Sequence, residues 1–330
     1  MSDTEKPSKS PLVAEQEAEQ RQFELAPGDS IGPTVVAPPE WFKRAVETPV
    51  ESRKVDVEGT PIHYLHWGDP DKPGLLLVHG NGAHAYWWSF IAPFLAKEYS
   101  VAAMDLSGMG DSGFRSHYSM ESYAEELMAV CEDAGFFDNE EPPIVVGHSF
   151  GGFVTILAGA LYGERLAGTV IVDSPVNPPD RPGGPPNRTI RPHRVYPTLE
   201  EAMGRFRLAP PQPCENFYIT EYVARHSLKK VEGGWTWKFD PRIWRRFSIG
   251  DPAERLRATK CRIAVMRGEY SVLLPEEIGD YMFSLLGRAA PVIEIPQARH
   301  HVLLDQPLAF VAALRALLAD WNHSHPHRKS

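Results

Sequence analysis

Gly147-His148-Ser149-Phe150-Gly151 fits the pattern Gly-x-Ser-x-Gly. A serine hydroxyl is a weak nucleophile until a base takes its proton and nearby donors receive the charge its attack creates. The pattern alone is common by chance. Its setting here is specific, because the apolar run Ile144–Val146 precedes it and a helical pattern, Phe153–Tyr162, follows. A strand entering a helix through so tight a turn lifts the serine clear of the sheet. Gly147, Gly151 and Gly152 supply the room that the turn requires.

The base and the oxyanion donors have candidates in loops that follow other strand-like runs. Ala298-Arg299-His300-His301 comes after Val292–Ile295, and a histidine on this loop can reach back to Ser149. His300 lies at the turn and is the expected base, while His301 is expected to point away and to pack or face solvent. His79-Gly80-Asn81-Gly82 follows Leu75–Val78. That loop and the residue after the nucleophile would give the two oxyanion N–H groups, those of Asn81 and Phe150. Asp105 opens a glycine-rich turn, Asp105–Ser112, and reads as a structural carboxylate that bonds turn amides.

These loops need a scaffold, and the rest of the chain supplies its rhythm. Lys54–Glu58 and Ile62–Trp67 flank Gly59-Thr60-Pro61 as a hairpin would. Leu75–Val78, Val101–Met104, Ile144–Val146, Val170–Val172, Ile263–Met266 and Val292–Ile295 are short apolar runs of the kind buried on both faces. Helical patterns lie between them: Ala85–Ala96, Ser119–Ala134, Phe150–Tyr162, Pro275–Leu286 and Pro307–Trp321. Strands alternating with helices predict an α/β fold, a doubly wound, mostly parallel eight-stranded sheet. The proline-dense stretch Asp173–Pro213 breaks the rhythm, and an aromatic segment holding Trp235, Trp237, Phe239 and Trp244 follows it. Residues 176–250 therefore read as a helical cap over the ligand crevice. The core would be 51–175 and 251–322, with a flexible extension at 1–50 whose part from 31 packs around Trp41 and Phe42, and a disordered tail at 323–330.

The 330 residues are 42% hydrophobic and 23% charged, with a net charge of −9, which excludes a wholly disordered chain. An acidic chain lacks the basic field that nucleic acid or anionic membrane requires, so neither is expected as a partner. No apolar run reaches membrane-spanning length and the first residues show no secretory core. Three cysteines, Cys131, Cys214 and Cys261, make no disulfide framework, and a reducing, cytoplasmic setting is expected.

Four features in this order resemble the α/β-hydrolase superfamily in its capped serine-esterase branch: His79-Gly80, the Asp105 turn, the Ser149 elbow and the His300 loop. The resemblance covers about residues 50–322. It implies a serine nucleophile, a histidine base, an acidic orienter, a two-amide oxyanion hole and no cofactor. The acid departs from the family's commonest pattern, because Ser271 stands where Gly-x-x-Asp would place it in Arg267-Gly268-Glu269-Tyr270-Ser271. Two substitutes are open. Asp173 ends the run that should neighbour the nucleophile's strand, as in a subset of the family that includes small cytosolic esterases. Glu269 is the alternative, and would need a shifted loop.

The expected function is hydrolysis of a carboxylic ester, or a related acyl bond, of a small apolar molecule through Ser149, His300 and Asp173. C–C bond hydrolysis, lactonase and thioesterase chemistry would use the same site. A ligand receptor with a vestigial triad is the reading of another class, and Ser271 is the feature that would favour it. Trp87, Trp235 and Trp237 are the expected pocket walls. No metal spacing occurs: His63 and His66 should face opposite sides of a strand, and the terminal histidines read as a frayed end. Arg181, Arg188, Arg191 and Arg194 read as a solvated face.

Overall fold

The computed structural model describes residues 37–181, 192–245 and 247–324. Residues 1–36, Gly183-Gly184, Arg188, Arg191 and the histidines beyond residue 324 lie outside the described residues.

Ten strands are present among the described residues: β1 (Glu51–Val57), β2 (Thr60–Trp67), β3 (Gly74–Val78), β4 (Ser100–Met104), β5 (Ile144–His148), β6 (Gly168–Val172), β7 (Leu228–Val231), β8 (Gly234–Trp237), β9 (Arg262–Gly268) and β10 (Val292–Ile295). Eight form one sheet in the order β1-β2-β4-β3-β5-β6-β9-β10. β1–β2 and β2–β4 pair antiparallel, and every later pairing is parallel. The apolar runs of the sequence become its central strands, and every residue of β3, β4, β5 and β6 is buried. Alternate side chains serve opposite layers. Leu75 and Leu77 join one core cluster, while Leu76 and Val78 join the other, each leucine contributing about 1.5–3 kcal/mol by its burial.

Helices cover both faces. Met120–Asp133 starts where the Ser119 side chain accepts the Ser122 N–H at 3.0 Å, and Pro252–Arg257 starts at Asp251, which caps Ala253 and Glu254. Phe150–Tyr162 runs directly from the end of β5, and Pro307–His323 closes the described chain. The pattern Ala85–Ala96 splits into a 3₁₀ turn, Ala85–Trp88, and a short helix, Ala92–Leu95, with Pro93 in its first turn. Within the 1–50 extension, Glu40–Val46 is a helix, not flexible chain. Phe42 and Ala45 are buried in the main core, and Phe42 packs edge-on to Tyr218 and Tyr222.

The insertion after β6 carries two short helices, Leu199–Met203 and Phe217–His226, and the two-stranded hairpin β7–β8. That hairpin corrects the reading of the insertion as wholly helical. Its signal is present in the sequence. Val231-Glu232-Gly233-Gly234 turns the chain through Gly233 at φ +81°, and Trp235-Thr236-Trp237 alternates with period two.

Candidate active site

Ser149 occupies the turn between β5 and the helix Phe150–Tyr162 with φ 54° and ψ −117°. A non-glycine residue held there costs of order 1–3 kcal/mol, and the surroundings must impose it. They do so by close approach. A Cβ on Gly147 would lie 2.4 Å from the Gly151 carbonyl oxygen, and one on Gly151 would lie 2.5 Å from that of His79. The Ser149 N–H donates to Val172 O at 2.9 Å, and the Ser174 hydroxyl donates to Ser149 O at 2.6 Å. A Cβ on Gly152 would sit 1.9 Å from that same hydroxyl. Ser174 thus ties the elbow to the end of β6, a role the sequence reading missed.

The side chains of Ser149, His300 and Asp173 form one hydrogen-bonded line. Ser149 Oγ and His300 Nε2 are 2.9 Å apart, and His300 Nδ1 and Asp173 Oδ2 are 2.7 Å apart. A carboxylate only accepts, so Nδ1 carries the proton and Nε2 presents its lone pair to the serine. His300 and Asp173 are buried, and Asp173, like Ser149, has a positive φ, 50°. The Asp173 carboxylate also accepts the Gly268 N–H at 3.0 Å and the Ser271 hydroxyl at 2.6 Å. Glu269 is placed elsewhere, with its carboxylate accepting the Gln297 N–H at 2.8 Å.

The loop after β3 lies against the nucleophile, since a Cβ on Gly80 would be 3.1 Å from Ser149 Cβ. The Asn81 N–H has no hydrogen-bond partner among the described residues. The Phe150 N–H is the first of its helix, where intrahelical acceptors are missing. His79 fixes the loop by donating from Nδ1 to Gly80 O at 2.7 Å and accepting the Leu106 N–H on Nε2 at 3.2 Å. Asp105 accepts the N–H groups of Ala85 at 2.6 Å and Asp111 at 2.8 Å, and lies 2.7 Å from His63 Nδ1. Burial works against its charge, but the bond and charge of His63 prevail and hold its carboxyl at about 2.

Two more histidines surround the base. His148 Nε2 donates to the His300 carbonyl at 2.9 Å. His301 is buried, its ring beside those of His300 and Trp87, and its Nε2 donates to Pro210 O at 3.2 Å. Burial, then the neighbouring His300, pushes His148 down to about 3 and His301 well below the ordinary histidine value, so both rings stay neutral near pH 7. One ring nitrogen from each of His148, His300 and His301 lies within 4.8 Å of the others. His300 already uses both nitrogens on Asp173 and Ser149, so a metal there would displace one of those contacts.

The expected pocket residues separate. Trp87 is buried beside His301. Trp235 and Trp237 instead pack with Tyr196, Leu199, Ala202, Met203 and Leu228 in the insertion's own small cluster. The ring of Phe150, the residue after the nucleophile, meets those of Trp244, Tyr123 and Phe247, with centroids 5.3, 5.5 and 5.7 Å away. Large rings bury most area where they find other rings, and the hairpin faces its own helices.

The α/β hydrolase family model matches residues 75–314. Mouse epoxide hydrolase 4 is 26% identical over 125 residues, which is 37% of this chain and 34% of that protein. Lipase LipV of Mycobacterium tuberculosis is 30% identical over 115 residues, 35% of this chain and 42% of the lipase. These matches span less than half the length of either relative. A thioesterase domain from the curacin biosynthetic pathway superposes with a TM-score of 0.67 at 22% identity, covering 82% of this chain and 99% of that one. A Mycobacterium tuberculosis esterase gives 0.64 at 22% identity, covering 85% and 95%. With the elbow, the parallel sheet and most of the chain inside the matched region, the chain belongs to the α/β hydrolase family.

Proposed function

We propose that the protein is a serine hydrolase that cleaves a carboxylic ester of a small apolar molecule. The observation that carries this reading is the line from Ser149 Oγ through His300 to Asp173, at 2.9 and 2.7 Å. His300 takes the Ser149 proton as Oγ attacks the acyl carbonyl, and Asp173 holds the imidazole in the tautomer that can accept it. The N–H groups of Asn81 and Phe150 receive the oxyanion, where one donor is worth about 10²–10³ in rate. His300 then gives its proton to the departing alkoxide, and a water activated by the same imidazole frees the acyl group.

Several of the relatives are epoxide hydrolases by name. Serine at position 149 argues against that chemistry here, which needs an aspartate nucleophile. The Ser271 hydroxyl on Asp173 supports a working triad with its acid directly after β6 rather than a vestigial receptor site. The rings of Trp244 and Phe247 beside Phe150 support an apolar acyl or alkyl group. The reading needs a small-molecule substrate and no cofactor. A reducing compartment, the cytoplasm, fits three free cysteines, and no helix among the described residues is long and apolar enough to cross a membrane.

The test is a chain-length series of p-nitrophenyl esters run beside lactone and thioester panels, with a fluorophosphonate probe. Steady ester turnover that Ser149→Ala abolishes, and probe labelling confined to Ser149, are the expected results. A stoichiometric burst without turnover would favour the receptor. Undiminished turnover in Ser149→Ala would remove the nucleophile.

A further inference from the structure

We infer that Gln212 is a positioning residue for the base, carrying the insertion's hold on the peptide groups that flank His300. This rests on the reading of His300 as the base of a serine hydrolase.

The peptide N–H groups on both sides of His300 have side-chain acceptors. Arg299 N–H donates to Asp305 Oδ2 at 2.7 Å, and His301 N–H donates to Gln212 Oε1 at 3.0 Å. The two acceptors are joined, because Gln212 Nε2 donates to Asp305 Oδ1 at 3.0 Å and Oδ2 at 2.9 Å. One end of the Gln212 amide must accept and the other must donate, so the network fixes its orientation. The carbonyl of His300 itself is taken by His148 Nε2. Three consecutive residues around the base are thereby clamped through their backbone, and one of the three bonds comes from the insertion.

Other insertion contacts reach the same loop without touching those amides. Asn216 Nδ2 donates to Leu304 O at 2.7 Å and Asp305 O at 3.1 Å, and Pro210 O accepts from the His301 ring. They dock the insertion, whereas Gln212 bears on the main chain next to the imidazole. Misplacing a reacting group by about 1 Å can cost 10²-fold in rate, so a small drift of this backbone matters. Asp305 is a costly partner to keep charged. Burial pushes its carboxyl up to about 6 against the bonds from Arg299 and Gln212, with the Arg299 charge also favouring the anion and Glu215 opposing it. Losing the Gln212 amide would leave that carboxylate short of a donor.

The experiment measures the rate constant for fluorophosphonate labelling of Ser149 in the full chain, from pH 8 to pH 6, at equal folded fraction. Wild type is compared with Gln212→Ala, Gln212→Glu and Asn216→Ala, and kcat and KM are measured on one ester. Gln212→Ala should label about tenfold more slowly and lose kcat with little change in KM. Asn216→Ala should label within about twofold of wild type even where its melting temperature falls. Gln212→Glu keeps the acceptor for His301 N–H but sets a carboxylate against Asp305. Its rate relative to wild type should climb as the pH falls and the two carboxyl groups come to share a proton. Wild-type labelling in Gln212→Ala, equal slowing in Gln212→Ala and Asn216→Ala, or a flat ratio for Gln212→Glu each overturns the inference while leaving the hydrolase reading intact. Wild type that never labels overturns the hydrolase reading, and this inference with it.

Discussion

The hydroxyl of Ser271 donates to Asp173 Oδ2 at 2.6 Å, across the pairing of β6 with β9. The position where the family most often keeps its acid is therefore a donor to an acid just past the end of the neighbouring strand. Asp173 receives three donors, from His300, Gly268 N–H and Ser271. Asp173→Asn should lower kcat by about 10⁴, the cost of removing the orienting aspartate's charge in serine proteases, while slow labelling of Ser149 persists. Glu269→Gln should stay within a few-fold of wild type, since Glu269 serves Gln297. Crippled Glu269→Gln beside active Asp173→Asn would reassign the acid.

Ser271→Ala tests the relay itself. It removes one bond to a buried carboxylate, and Leu274 N–H loses its acceptor on the same hydroxyl. A cost of about 1.5–3 kcal/mol to stability is expected, with kcat reduced far less than in Asp173→Asn. Activity fully independent of Ser271, at unchanged stability, would show that the hydroxyl contributes nothing to the site.

The elbow makes a steric prediction. Gly152→Ala would drive a methyl onto the Ser174 hydroxyl at 1.9 Å and its Cβ at 2.7 Å. The variant should lose most activity and stability, by the overpacking cost of about 1–3 kcal/mol or more. Adding Ser174→Gly removes both clashing atoms, so the double variant should recover part of the stability in thermal melts. Failure of the second change to recover anything would place the damage in the helix Phe150–Tyr162 instead.

Selectivity should follow Trp244 and Phe247 rather than Trp235 and Trp237. Trp244→Ala and Phe247→Ala should change the ranking of acyl lengths in an ester series, because their rings meet Phe150. Trp235→Ala and Trp237→Ala empty the small cluster of the insertion and should lower melting temperature with the ranking kept. The opposite pattern in ester profiles would return the hairpin tryptophans to the pocket.

What the sequence made legible follows from how local each signal is. The strand runs around Leu75 and Val146 and the glycines around Ser149 are contiguous in the chain, so the sheet and the elbow could be read directly. The line from Ser149 to His300 and Asp173 required only that loops at strand ends converge, which the parallel topology guarantees. Gln212 and Ser174 carry no such signal. Their partners, the amide of His301 and the carbonyl of Ser149, are backbone groups that every residue possesses. The surroundings of the hairpin tryptophans are not legible either, because aromatic density shows that rings pack without showing against what. Trp235 and Trp237 found Tyr196 and Leu228 within their own segment.

Two buried histidines away from the triad's proton path make acid stability testable. Burial, as the largest influence, pushes His84 and His148 down to about 3 from the ordinary 6.5, so neither ring takes a proton in the folded protein near pH 5. In the unfolded chain both do. Between about 6.5 and 3 the unfolded state binds more protons, so stability rises with pH and is lost as pH falls through that window. Each ring adds about 1.4 kcal/mol of loss per pH unit. His84 Nε2 donates to Val223 O at 3.1 Å and lies 2.9 Å from Ser227 Oγ, while its Nδ1 is buried without a partner among the described residues. His84→Gln keeps a donor for those acceptors and removes the titration. Urea unfolding at pH 7, 6 and 5 should therefore show a shallower decline for His84→Gln than for wild type, by about one proton's worth. Parallel declines in the two proteins would mean that His84 is protonated in the folded state, and that the cavity around it admits charge that its burial should exclude.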